Sequence, residues 1–155
     1  VDLLMHWYGP IEQVDAGSQD SRGEDPSISF RCRFKAGFSA WFIGTDETGF
    51  DVLDMEIVGN DTQIEIRSGG AEIRHYRSKS GLHYRDYAHL DEIERDVGPV
   101  GGFIELYQAI RDWHENGSIL AGCDGDAAVL NMAVLEAAKQ SVVGDGRSKS
   151  VAKIL

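Results

Sequence analysis

The chain has 155 residues, of which 42% are hydrophobic and 26% charged, and 26 acidic against 15 basic residues give a formal net charge of −11. A chain of this length and composition can bury a hydrophobic core of its own, so one domain is expected. The acidic balance excludes function classes that need a cationic surface, namely non-specific nucleic-acid binding and attachment to anionic membranes.

The sequence also indicates in which cellular compartment the protein is expected. No stretch has the length and hydropathy of a membrane span, and the first residues lack the pattern of a secretory signal. The two cysteines, Cys32 and Cys123, have neither metal-ligand spacing nor the number needed for a disulfide framework. We therefore expect free thiols in a cytoplasmic protein with no metal site.

The chain opens with a helical pattern. Apolar side chains recur at helical spacing through residues 3–8, and Gly9 followed by Pro10 ends the pattern, which predicts a helix over residues 2–8. No initiator Met and no capping residue precede it, so we expect the chain to be a fragment of a larger protein.

A run of strands is predicted next. Residues 11–16 suit a strand, and residues 17–26 are predicted to form a surface loop. From Ser27 the hydrophobic period changes to two, and a turn at residues 36–37 leads into residues 38–43, which predicts an antiparallel hairpin. Residues 51–58, 62–67 and 71–76 alternate in the same way, with short glycine-containing turns between them. The whole run predicts an antiparallel meander.

The last third of the chain is predicted to be helical. Residues 77–96 are polar without a clear period and are expected to form a loop. Phe103, Leu106, Tyr107, Ile110 and Trp113 then recur at helical spacing, which predicts a helix with one buried face, closed at residues 116–117. A second helix is predicted from a cap at residue 124 to residue 143, with a narrow stripe of small side chains suited to close packing. Residues 150–155 are expected to add a short strand.

This order of elements predicts an α+β fold. We expect an open, mostly antiparallel sheet of about five to six strands, with helices packed on one face, in a single domain over residues 1–155. Trp41 and Ile43 fall on the outer face of the sheet. Large apolar side chains in that position typically meet a partner, and a second copy of the chain is the simplest one, so we expect a homo-oligomer.

The sequence contains no self-sufficient catalytic or phosphate-binding motif. One segment of this acidic chain is locally basic and aromatic, and its members Arg74, His75, Tyr76, His83 and Tyr84 are the candidate ligand-binding residues. Arginine and histidine can donate to ligand oxygens while tyrosine stacks or hydrogen-bonds, which favours an anionic or polyhydroxylated small molecule. The alternative is a solvated loop whose Tyr and His side chains pack over the end of the sheet.

Four segments in the same order as in a known family carry a resemblance. The first has Asp2, Trp7 and Gly9 near the positions of a His-x-x-Asp-x-x-x-x-Trp-x-x-Gly motif, with the glycine one position early. The others are a strand and turn, a helix, and a closing helix rich in Ala with Glu136 and Ser141. They occupy residues 1–9, 55–59, 103–113 and 124–141. Together the segments resemble the carboxy-terminal domain of the Gfo/Idh/MocA oxidoreductases.

The resemblance implies a parent enzyme that transfers hydride between NAD or NADP and a sugar, polyol or sugar-nucleotide derivative. It implies that Asp2 and Trp7 support the catalytic helix, and that the catalytic histidine and the Rossmann domain lie outside this chain. The chain alone is therefore expected to have no catalytic residue, to bind no cofactor and to be inactive. It would provide substrate binding and an open sheet face for homo-oligomerisation.

A different class of function remains open on the sequence. The chain can also be interpreted as a stand-alone α+β module that binds a small ligand or dimerises without catalysis. A strand followed by G-x-G-x-x-G upstream of Val1 favours the oxidoreductase, whereas a start codon there favours the stand-alone module.

Overall fold

The computed structural model describes residues 1–20, 27–45, 52–81, 87–99, 101–117 and 125–154, apart from the side chains of residues 18–20. The chain divides into two compact units, and we call Val1–Asp46 with Ser118–Leu155 unit 1 and Glu47–Gly117 unit 2. The elements in chain order are α1 (Asp2–Tyr8), β1 (Ile11–Asp20), β2 (Ser27–Phe34), β3 (Ser39–Phe42), β4 (Met55–Val58), β5 (Thr62–Arg67), a 3₁₀ turn (Ser68–Gly70), β6 (Glu72–Ser80), β7 (Ala88–Val97), α2 (Phe103–Asn116), α3 (Gly125–Val143), β8 (Lys149–Ser150) and a second 3₁₀ turn (Val151–Lys153).

The predicted α+β class with antiparallel strands is confirmed. The described strands form two four-stranded sheets, with the orders β3-β2-β1-β8 and β4-β5-β6-β7, where the sequence predicted one sheet of about five to six strands. The difference arises because β7 lies in a segment that has no clear hydrophobic period. None of the described helices has both the length and the apolar character needed to cross a bilayer.

Unit 1 contains the well-packed core. The inward positions of β1 and β2 include Val14 and Cys32, both fully buried, because alternate strand residues point to the same face. Helix α3 covers this face with Ala133, Val134, Ala137, Ala138 and Ser141, all buried. The small side chains let the helix approach the sheet closely. The predicted packing stripe is confirmed at Val134, Ala137, Ala138 and Ser141, whereas its first members Ala127 and Leu130 are not buried.

Strand β1 is longer than predicted. Residues 17–20 were expected to belong to a loop, yet their backbone continues the antiparallel pairing with β2, and Asp20 lies opposite Ser27. Backbone hydrogen bonds make this ladder, so it continues without an apolar period in the side chains. A register irregularity between Ala16 and Ser18 marks the place where the predicted strand ended.

Unit 2 corrects the loop predicted over residues 77–96. Strand β6 continues to Ser80, and β7 pairs antiparallel with it from Ala88 to Val97. Polar side chains occupy both faces of this ribbon, which removes the alternation on which the sequence prediction depended. A hairpin of charged residues therefore forms an edge of the sheet, as edge strands often do.

Helix α2 has the predicted bounds but not the predicted burial. It spans Phe103–Asn116, and Gly117 at its end has a φ of 64°, a left-handed conformation that glycine adopts without strain. None of its residues is buried, and Phe103 and Trp113 are 78% and 53% exposed. The expected buried face is thus an exposed apolar face in this structure.

Candidate functional site

The candidate residues lie on strand β6 and in a segment that the structure does not describe. Arg74, His75 and Tyr76 are consecutive on β6, whereas His83 and Tyr84 lie outside the described residues. Because successive strand residues point to opposite faces, Arg74 and Tyr76 share one face of the unit 2 sheet and His75 lies on the other. The three described candidates therefore do not converge on one point.

The face that carries Arg74 is polar and internally paired. Arg74 donates two hydrogen bonds to the Glu72 carboxylate, from Nε to Oε1 at 2.9 Å and from Nη2 to Oε2 at 3.0 Å. Tyr76 donates from its hydroxyl to Glu65 at 3.4 Å, and Arg95 pairs with both Glu72 and Glu92. A network of this kind holds each guanidinium in a fixed orientation.

The hydrogen bonds of this network shift the pKa values of its members. Hydrogen bonding to Glu72 raises the pKa of Arg74, and the same contact with Arg74 lowers the pKa of Glu72. Both groups are open to water, so each pair adds little to stability. The pairing of Arg74 with Glu72 also affects the binding of a ligand. An anionic ligand at Arg74 would compete with Glu72 for the Nε and Nη2 donors that this carboxylate already uses.

The opposite face of the same sheet carries His75 beside aliphatic residues. His75 Nδ1 lies 3.4 Å from Glu94, and Ile64 and Ile73 lie on the same face. Farther along the β6–β7 hairpin, Asp91 accepts a hydrogen bond from Lys79 at 2.9 Å. That contact raises the pKa of Lys79 and lowers the pKa of Asp91. Lys79, like Arg74, already has a carboxylate partner.

Neither a reactive thiol nor a metal centre is found among the described residues. Cys32 is a free cysteine with no exposed surface, and burial raises its pKa to about 12, so its sulfur is protonated near neutral pH. Cys123 lies outside the described residues. No group of three or more His, Cys, Asp or Glu side chains is placed to hold a metal ion in the described ranges.

The two residues identified by the family motif lie on α1. Asp2 accepts a hydrogen bond from Asn131 Nδ2 at 3.0 Å, which links α1 to α3 within unit 1. Trp7 is 45% exposed and makes an edge contact with Tyr8, with ring centroids 6.3 Å apart. The hydrogen bond between Asp2 and Asn131 helps to orient α1. This agrees with a supporting role for Asp2 and does not require a catalytic role.

The outer face of the unit 1 sheet matches its prediction. Trp41 is 73% exposed and Ile43 is 80% exposed. The Arg31 guanidinium lies 5.3 Å from the centroid of the Trp41 ring and pairs with Asp15. An exposed aromatic ring held beside an arginine has the composition found at the centre of protein interfaces.

Sequence reasoning missed a polar cleft at the β8 edge of unit 1. It has a volume of about 480 Å³, and it is lined by Gln13, Gln140, Ser148, Lys149, Ser150 and Lys153. A second depression of about 420 Å³ shares Gln140 and Lys149 with it. The available signal was local charge, because residues 139–153 hold four basic residues and one acidic residue in a chain of net charge −11.

Comparison with known proteins gives a likeness of fold. No family model matches the chain, and no curated protein matches it. Among solved structures, the chain is similar to one described as "putative oxidoreductase yvaA from Bacillus subtilis", with a TM-score of 0.67 and 14% sequence identity. The match covers 96% of this chain and 47% of the other, so the chain spans about half the length of that protein. At this identity the likeness establishes the fold.

Proposed function

We propose that the chain is the substrate-binding and oligomerisation domain of an NAD(P)-dependent oxidoreductase that acts on a sugar, polyol or sugar-nucleotide derivative. The observation that carries the proposal is the fold likeness, which takes in nearly all of this chain and about half of a protein described as an oxidoreductase. The motif at Asp2 and Trp7 supports it independently, because it would place this chain directly after the catalytic histidine of a parent enzyme.

The chain's own residues do not fit a dinucleotide cofactor. Such a cofactor needs a glycine-rich loop between a strand and the first turn of a helix, where backbone N–H groups meet the pyrophosphate. The pair Gly69-Gly70 lies instead in a 3₁₀ turn between β5 and β6, two strands of one sheet. Gly98, Gly101 and Gly102 do lie between β7 and α2, but they lack the G-x-G-x-x-G spacing, and β7 is antiparallel to its neighbour and is not part of a parallel βαβ unit. NAD or NADP would therefore be held by another part of the parent enzyme, and we derive no step of hydride transfer from this chain.

The polar face of the unit 2 sheet is the proposed substrate-contact surface. Arg74 and Tyr76 present donors there, and exchange of Glu72 for a ligand oxygen would turn a structural pair into a binding pair. His75 lies on the other face and would contact a substrate only from a different side; His83 and Tyr84 lie outside the described residues. The hypothesis thus centres on Arg74 and Tyr76.

A test of the oxidoreductase assignment combines sequencing with an assay. The reading frame upstream of the Val1 codon is expected to encode a strand, a G-x-G-x-x-G segment and a later lysine. The present chain is expected to give no reduction of NAD⁺ or NADP⁺ with a panel of polyols and no oxidation of NADH or NADPH with a panel of sugars, both followed at 340 nm. The complete protein is expected to turn over at least one member of that panel. A start codon directly before Val1, or turnover by this chain alone, would contradict the proposal.

The oligomerisation role makes a separate prediction. Light scattering is expected to give the mass of a dimer or a larger closed oligomer. Trp41→Asp is expected to weaken self-association by about 30-fold or more, because a central aromatic residue typically contributes at least about 2 kcal/mol to an interface. The matched control is Val129→Asp, which introduces the same charge at an exposed position of α3. Equal effects of the two substitutions, or a monomeric parent chain, would reject the outer face as the interface.

A further inference from the structure

The cleft at the β8 edge of unit 1 is lined by two lysines and by no acidic side chain. On the unit 2 sheet, Arg67, Arg74, Lys79 and Arg95 all pair with carboxylates. The ion pairs found among the described residues include neither Lys149 nor Lys153, and no acidic side chain lines the cleft. Two positive charges thus share one concavity without a neutralising partner.

Backbone pairing and helix packing hold the cleft in place. Strand β8 pairs with β1, with Ser150 opposite Gln13 and Lys149 opposite Val14. The Lys149 side chain crosses Gly144 at the end of α3, and a Cβ atom built on that glycine would lie 3.3 Å from Lys149 Nζ. The absence of a side chain at Gly144 therefore leaves the space in which Lys149 lies. Lys149 borders both depressions, and its ammonium group lies beside Gly144, which lines the second one.

The remaining lining residues are neutral: Ile154 is apolar, and the others are the hydrogen-bonding residues Gln13, Gln140, Ser148 and Ser150. Gln13 and Ser148 are joined to each other and to the Arg33 guanidinium, which adds a third positive charge beside the cleft. Two carboxylates adjoin the cleft: Asp15 is paired with Arg31, and Glu136 accepts a hydrogen bond from Gln140 Nε2 at 2.9 Å. Burial acts to raise the pKa of Asp15, but hydrogen bonds from Arg31 and Ser148 lower it overall. The charge at this edge is therefore positive on balance.

From this arrangement we propose that the cleft binds the phosphate group of a small phosphorylated molecule. Lysine ammonium groups bind phosphate oxygens as point charges, and a phosphate group offers more charge and more acceptor oxygens to two lysines than a carboxylate does. A volume of about 480 Å³ is much more than a phosphate ion fills and lies in the range of small-molecule sites. The Gln140 side chain, whose Nε2 already donates to Glu136, keeps its carbonyl oxygen as an acceptor, and this oxygen and the Ser150 hydroxyl would bond the neutral, hydroxyl-bearing remainder of the ligand.

The site is independent of the proposed oxidoreductase function, since it lies on unit 1 and uses none of the residues assigned to substrate contact. Titration of the isolated chain with three probes tests it, with binding followed by NMR chemical shifts. Glycerol 3-phosphate is expected to bind with a dissociation constant of about 1 mM or below, and to shift the signals of Gln13, Gln140 and residues 148–154. Inorganic phosphate is expected to bind more weakly at the same residues, and glycerol to cause no shift.

Charge-removing substitutions make the test specific. Lys149→Gln and Lys153→Gln are each expected to weaken glycerol 3-phosphate binding by about tenfold, as loss of one charged hydrogen bond does. Lys35→Gln is the matched control, because Lys35 is exposed and does not line the cleft. Lys153 is exposed, so Lys153→Gln is expected to leave the fold intact. This variant therefore tests the site even where Lys149→Gln disturbs β8. The proposal is overturned if Lys35→Gln weakens binding equally or if glycerol causes equal shifts. It is also overturned if glycerol 3-phosphate at about 10 mM causes no shift.

Discussion

Replacement of Ala137 by leucine is expected to lower the free energy of unfolding of unit 1 by about 1–3 kcal/mol. Ala137 has no exposed surface and lies on the face of α3 that packs against β1. The added side chain has no cavity to enter, so the helix must move away from the sheet or the leucine must adopt a strained rotamer. A loss of this size corresponds to a fall of about 2–10 °C in the melting temperature of a chain this long.

The same helix provides the control for this prediction. Ala128→Leu makes an identical change at an exposed position of α3, and leucine and alanine have similar helix propensities. A change below about 0.5 kcal/mol is expected there. Urea titrations followed by circular dichroism, with amide exchange of β1 to assign the loss to unit 1, measure both variants. Equal stability of the two variants would show that α3 is packed loosely enough to accept a larger side chain.

The sequence predicts the fold best where a hydrophobic period and a clear stop coincide. Helix α1 ends at Tyr8 before Gly9-Pro10, and β2 and β5 have the predicted bounds. The reasons are local, since strong alternation fixes which face is buried and glycine turns fix the ends. Helix α2 shows the limit of this reasoning. A periodic apolar face predicts that a helix forms, but burial depends on what packs against it.

The candidate site was harder to predict because it depends on pairing. Composition identified Arg74, His75 and Tyr76 as a basic and aromatic group, but their position on a strand separates His75 from the other two. The sequence also could not reveal that Glu72, two residues away, accepts a hydrogen bond from the Arg74 guanidinium. Lys149 and Lys153 are the opposite case, since they have no acidic partner in the described ion pairs and only the fold brings them beside Gln13.

Removal of the Ser141 hydroxyl is expected to destabilise unit 1 by about 1–3 kcal/mol, although Ser141→Ala deletes a single atom. Ser141 is fully buried, and its Oγ accepts a hydrogen bond from the Ala16 N–H at 2.9 Å. The same hydroxyl donates to the carbonyl of Arg147 at 2.8 Å. Alanine cannot replace either bond, so the buried Ala16 N–H loses its acceptor at the irregular point of the β1–β2 register.

This loss should be visible at one amide before it is visible in the whole protein. In Ser141→Ala the Ala16 amide is expected to exchange with solvent faster by more than its neighbours do, because it alone loses its hydrogen-bond acceptor. Ser39→Ala, at an exposed position of β3, is the control and is expected to change the free energy of unfolding by less than about 0.5 kcal/mol. Unchanged exchange at Ala16 would mean that water replaces the hydroxyl. In that case the bond from Ser141 orients the end of α3 without contributing appreciably to stability, because a bridging water preserves the hydrogen bond.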